Sequence, residues 1–89
     1  MLFRSLEEAV RLALSRVHGA YAIVVIDKED NTKIVAARKQ SPLVLGIGNG
    51  EFLFASDATP IVEHTKRVVY INDNEIVTAR RDEIGRAHV

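Results

Sequence analysis

Apolar residues recur first at helical spacing and then in short alternating or unbroken runs. In Leu6-Glu-Glu-Ala-Val-Arg-Leu-Ala-Leu-Ser-Arg-Val17, residues Leu6, Val10, Leu14 and Val17 fall about one turn apart, with Ala9 and Ala13 beside them. This spacing predicts an amphipathic helix with Glu7, Glu8, Arg11 and Arg16 on its wet face. Ser5, with Glu8 three positions on, reads as a capping box, and Gly19 stands where a left-handed stop belongs. The pattern then changes. Ala20 to Asp27 is nearly all apolar and rich in Val and Ile, as in a strand buried on both faces. Lys28-Glu-Asp-Asn-Thr32 predicts a polar turn, and Lys33 to Arg38 a returning strand. After the Ser41-Pro42 break, Leu43 to Ile47 and Phe52 to Ala55 flank Gly48-Asn-Gly50, a strong hairpin signal. Asp57 is placed to cap a short helix running through Ile61 to His64, with Pro60 in its first turn. Arg67 to Ile71, the turn Asn72-Asp73-Asn74 and Glu75 to Ala79 predict a last hairpin. Helix, hairpins, short helix, hairpin is an α+β plan with mostly antiparallel pairing.

Size and composition narrow this picture. Eighty-nine residues make one small domain, and a chain near this size buries only about 60% of the surface its unfolded form exposes. There is no cysteine, so neither a disulfide nor a thiolate metal site reinforces the fold. Twelve Lys and Arg balance twelve Asp and Glu, which argues against a nucleic-acid or anionic-membrane surface as the main partner. The hydrophobic content of 47% excludes a disordered tail. The longest apolar run, Ala20 to Ile26, is too short to span a bilayer, and no signal-peptide pattern opens the chain. The expectation is a soluble, cytoplasmic protein.

Candidate chemistry is sparse. His18 closes the first predicted helix, His64 lies near the end of the second, and His88 is in the tail. None has a second ligand at metal-binding spacing on its own element, because Glu63 beside His64 points elsewhere on a helix. Gly46-Ile-Gly48-Asn-Gly50 resembles a phosphate cradle, but a strand-like segment follows it where a helix N-terminus is needed. Ser41 and Ser56-Asp57 sit in no nucleophile elbow, and no histidine is placed as their base. Arg80-Arg81 is too short a basic run to mean more than a solvated end.

The ordered string says more than its parts. His18-Gly-Ala-Tyr-Ala-Ile-Val-Val-Ile-Asp27, Ile34-Val-Ala-Ala-Arg38, Ser41-Pro-Leu-Val-Leu-Gly-Ile-Gly48 and Ala55-Ser-Asp57 resemble the glutaminase domain of the glucosamine-6-phosphate synthases. These are the isomerising glutamine–fructose-6-phosphate aminotransferases. The resemblance runs from about Leu6 to Ala79 and includes Val69-Tyr-Ile-Asn-Asp-Asn-Glu-Ile76. Phosphoribosyl-pyrophosphate amidotransferases look similar around Gly19-Ala-Tyr21 but differ at Gln40-Ser-Pro-Leu43. Phe52-Leu53-Phe54 departs slightly from the family pattern, in which two adjacent aromatics precede a leucine, and keeps its apolar content.

The resemblance implies an αββα sandwich of the N-terminal-nucleophile type, of which this chain is the C-terminal half. It implies a parent that attacks glutamine with an N-terminal cysteine and passes ammonia to a sugar-isomerase domain. The cysteine and the glutamine-clamping motifs precede the matched region, so no residue here carries over as catalytic, substrate-binding or metal-ligating. No cofactor is implied. The partners implied are the remainder of the glutaminase domain and the sugar-isomerase domain, with self-association of the fragment also expected. Two other readings stay open: a freestanding interaction module with the same half-fold, and the glutaminase half of another class-II amidotransferase.

Both ends look foreign. Ile84-Gly-Arg-Ala-His-Val89 can be encoded by ATC GGA AGA GCA CAC GTC, which matches a common sequencing-library adapter. Met1-Leu-Phe-Arg-Ser5 fits GTG CTC TTC CGA TCT, which resembles the opposite adapter. The expected organisation is therefore adapter translation at 1–5, amidotransferase sequence at 6–82, and adapter translation at 83–89 with Glu83 at the junction. A half-sandwich leaves core faces wet at about 25 cal/mol per Å² of apolar surface. Marginal stability and association through exposed edges are the expected consequences.

Overall fold

The computed structural model describes residues 5–28, 30–80 and 83–88. Most of the first terminal segment, Glu29 in the predicted turn, and Arg81 of the basic pair lie outside the described residues. Helix α1 (Leu6–Leu14) starts as predicted, with Ser5 in an extended conformation and its Oγ accepting the Glu8 N–H at 3.1 Å. It ends three residues before Val17. Ser15 Oγ donates to the Leu12 carbonyl at 2.7 Å, and the Arg16 and Val17 amides turn back onto Ala13 and Leu14. Such local bonds compete with the helical ladder, and Val17 is too exposed to gain from continuing it. Gly19 does adopt a left-handed φ of 97° but serves the loop beyond the helix, and His18 is therefore in that loop.

Seven strands follow among the described residues: β1 (Tyr21–Asp27), β2 (Asp30–Lys39), β3 (Val44–Gly48), β4 (Glu51–Ala55), β5 (Val68–Tyr70), β6 (Glu75–Arg80) and β7 (Glu83–His88). Helix α2 (Thr59–Val62) separates β4 from β5. β2 starts earlier than predicted, because Asp30 already pairs with Asp27 across an irregular register step and the expected polar turn is mostly strand. α2 is only four residues long and begins after Ala58. Asp57 contributes next to the cap instead, its Oδ1 accepting the Thr59 N–H at 3.2 Å. His64 lies past the helix end.

Every pairing between the strands is antiparallel. The first sheet has the order β1-β2-β6-β7 and the second β4-β3-β5. The predicted last hairpin does not form. β5 pairs with β3 in the second sheet, while β6 pairs with β2 in the first. The turn at 72–74, with Asn74 at φ 61°, thus carries the chain from one sheet to the other. β7 is the second departure, because a tail expected to be foreign to the fold pairs with β6 over six positions.

Period-two alternation sends each strand's side chains to opposite faces, and this builds the layers. Val35, Ala37 and Ile76 meet Val10 and Leu14 of α1 on one side of the first sheet. On its other side Ala36, Val77 and Ala79 meet Leu43, Leu45 and Ile71 of the second sheet and the loops beside it. α2 lies on the far face of the second sheet, where Ile61 sits so close over Gly46 that any Cβ there would overlap Ile61 Cγ2. The order is helix, sheet, sheet, helix, in an α+β fold dominated by antiparallel strands.

Candidate functional site

Four of the sequence segments singled out above converge at one end of the sandwich. Arg38 from the end of β2, Pro42 and Leu43 from the following turn, Ser56 and Asp57 after β4, and Tyr70 line a cleft of about 340 Å³. Arg38 organises it. Pairing with Glu75 on β6 puts Arg38 on the inward face of the first sheet. Its Nε donates to the Ser41 carbonyl at 2.7 Å and its Nη1 to the Ile71 carbonyl at 2.9 Å, and Nη2 lies 3.5 Å from Asp73 Oδ1. One guanidinium therefore ties the loop leaving the first sheet to the loop returning to it, using the fixed fork of donors that lysine lacks.

The same corner holds two uncommon backbone conformations. Gln40 has φ 58°, and its N–H donates to Asp73 Oδ1 at 2.6 Å; Asn74 has φ 61°, and its N–H donates to the Arg38 carbonyl at 2.9 Å. A left-handed conformation costs a non-glycine residue about 1–2 kcal/mol, and these bonds hold it in place. Glu75, buried beside them, accepts the Asn72 N–H at 3.0 Å and Arg86 Nη1 at 2.7 Å. Burial pushes the Tyr21 hydroxyl pKa upward, and the negative charge of Asp73 adds to this. The donors of Arg38 are thus spent on carbonyls and Asp73, and Asp57 is engaged by Thr59 through both its N–H and its hydroxyl. Chemically the corner is a brace for loops.

The other candidates fall apart in space. His18 follows α1, His64 follows α2 with its N–H on the Ile61 carbonyl at 2.9 Å, and His88 ends β7. Among the described residues no three His, Cys, Asp or Glu side chains gather where a metal ion could bind. The glycine cluster is a hairpin turn, closed by the Gly48–Glu51 pair with Gly50 at φ 72°. No helix of the described residues is long and apolar enough to cross a membrane.

A second polar feature lies on the helix side of the first sheet. Lys33 is buried, and its Nζ sits 2.6 Å from Glu7 Oε1 on α1. Burial raises the Glu7 pKa, but the Lys33 hydrogen bond, a backbone N–H and the charges of Lys33 and Arg80 together outweigh it and hold the carboxyl below its usual value. The sequence reading missed Lys33, Arg38, Asp73 and Glu75. For Lys33, Arg38 and Glu75 the available signal was a charge at a strand position beside apolar residues two positions away; Asp73, in a turn, carried none.

Sequence comparisons find close relatives of this chain. Over 77 residues the chain is 58% identical to the glutamine–fructose-6-phosphate aminotransferase (isomerizing) of Chlorobaculum tepidum, covering 86% of this chain and 12% of that protein. Over 73 residues it is 62% identical to the enzyme of the same name from Bacteroides thetaiotaomicron, covering 82% of this chain and 12% of that protein. The Methanothermobacter thermautotrophicus relative is 47% identical over 72 residues. The chain belongs with one segment of the glutamine–fructose-6-phosphate aminotransferases and spans about 12% of the length of these relatives. No protein-family model matches it.

Proposed function

We propose that the chain is the C-terminal half of a glutaminase domain of the N-terminal-nucleophile type, a scaffold for chemistry whose reacting groups lie elsewhere. The observation that carries this reading is identity of 58% over 77 residues to proteins of which those residues make up only 12%. The helix–sheet–sheet–helix layering supports the αββα assignment. In this reading the parent hydrolyses glutamine and transfers ammonia to fructose 6-phosphate, giving glucosamine 6-phosphate in the cytoplasm. Its nucleophilic thiolate and oxyanion donors belong to the missing half, and a sugar-isomerase domain receives the ammonia. The 89 residues contain no cysteine and are catalytically silent alone. Residues 6–82 are the amidotransferase portion, and 1–5 and 83–89 are adapter-encoded.

Ammonia release from glutamine by the purified chain tests the silence; the expected rate is that of buffer alone, and turnover would overturn it. The DNA spanning both ends tests the parentage. An upstream frame opening with Met-Cys and a downstream sugar-isomerase region are expected, and a natural start and stop at residues 1 and 89 would contradict the reading.

A further inference from the structure

We propose that β1 is a self-complementary edge through which two copies of this chain join into one continuous eight-stranded sheet. β1 ends the first sheet. Apart from an isolated bridge between Tyr21 and Gln40, no strand among the described residues pairs with β1 other than β2. An unpaired row of backbone donors and acceptors is a template for another strand. The side chains reinforce it: Val24 and Ile26, on the face turned toward the second sheet, are 43% and 71% exposed. Tyr21 to Ile26 contains no charge, proline or glycine of the kind that ordinarily guards an edge.

The sequence of β1 specifies a second copy as the occupant. Turned about a two-fold axis at Val24, Tyr-Ala-Ile-Val-Val-Ile-Asp pairs with itself so that Ala22 meets Ile26, Ile23 meets Val25 and Val24 meets Val24. The one charge within the strand, Asp27, then faces Tyr21, and Lys28 beyond it faces Ala20, so no like charges oppose. Moving the axis to Val25 sets Asp27 against Ile23, and moving it to Ile23 sets Asp27 against Gly19 and Ile26 against Ala20. A net charge of zero adds no long-range repulsion. The pairing closes on itself as an isologous dimer. It does not propagate, because the opposite edge, β7, presents Glu83, Gly85 and Arg86. This inference is independent of the parent's chemistry, and the ammonia assay above does not bear on it.

Sedimentation equilibrium of the full chain at about 100 µM is the test. The expected mass is twice the 9.9 kDa of one chain. Val24→Lys sets two like charges at the axis and restores the single-chain mass, and Val24→Glu does the same. An equimolar mixture of the two variants regains the doubled mass, because only there does the charge at the axis meet its opposite. Position 24 is already half in solvent, so circular dichroism of both variants should match the parent chain. A monomeric parent chain, open-ended aggregation, a dimer that survives Val24→Lys, or a mixture that stays monomeric would each overturn the proposal.

Discussion

The middle and the edge of the first sheet are made of the same residues and live in different surroundings. In β2 and β6, Val35, Ala36, Ala37, Ile76 and Val77 are at most 2% exposed, because α1 covers one face and the second sheet the other. In β1, Ile23 and Val25 pack against the helix-side cluster, while Val24 and Ile26 look toward the second sheet and are not reached by it. A strand that is apolar on both faces calls for two covers. The chain supplies both to β2 and β6 and only one to β1. The uncovered strip leaves one face of β1 in solvent, so the first sheet is sealed at its centre and open at its margin.

Substitutions can break or sharpen this contrast. The largest effect is expected in the sealed region: Ile76→Ala should cost about 2–5 kcal/mol, enough to unfold a marginal domain, as read by urea titration. Glu7→Gln comes next. It strands the buried Lys33 ammonium, and about 1–3 kcal/mol is expected, less than for a fully buried pair because Glu7 is 34% exposed. Acid reaches the same interaction. With the Glu7 pKa lowered in the folded state, its contribution is complete above the unfolded value of about 4.3 and is lost as pH falls through the lower folded value. Stability measured from pH 6 down to pH 3 should therefore drop more steeply for the parent chain than for Glu7→Gln.

Arg38→Met is expected to cost about 1–2 kcal/mol by leaving the Ser41 and Ile71 carbonyls without their donor, with the loss confined to the loops at 40–42 and 71–74 in amide exchange. The smallest effect belongs to the edge. Ile26→Ala removes as many carbons as a core truncation would, yet should change stability by no more than about 0.5 kcal/mol. A cost near that of Ile76→Ala would mean that β1 is sealed after all.

Much of this architecture was legible in the chain. The period of Leu6, Val10 and Leu14 gave α1, the Ser5 cap fixed its start, and Asn49-Gly50 between apolar runs gave the β3–β4 hairpin. What could not be read was long-range. Val68 to Tyr70 and Glu75 to Arg80 look like hairpin arms, since a turn of Asn72-Asp73-Asn74 serves equally to reverse a strand or to pass it to another sheet. Which one it does is settled by strands far along the chain, β3 for β5 and β2 for β6, and no local pattern records those pairings. Lys33 was hidden for a similar reason: its partner sits on α1, and in the strand it reads as one more surface lysine. The end of α1 was missed because a single side-chain hydrogen bond at Ser15 outweighed an apolar residue with nothing to pack against.

The absence of cysteine gives direct access to the central claim. Val24→Cys and Val77→Cys each place one thiol on the same inward face of the same sheet, and their reaction with a maleimide can be followed at nanomolar concentration, where copies do not associate. The Val24→Cys thiol is expected to react within a few-fold of an unstructured peptide. The Val77→Cys thiol should react at least about tenfold more slowly, the protection that about 1.4 kcal/mol of local stability confers. Equal protection at both positions would show that this chain covers β1 by itself, and would contradict its being part of a larger sandwich.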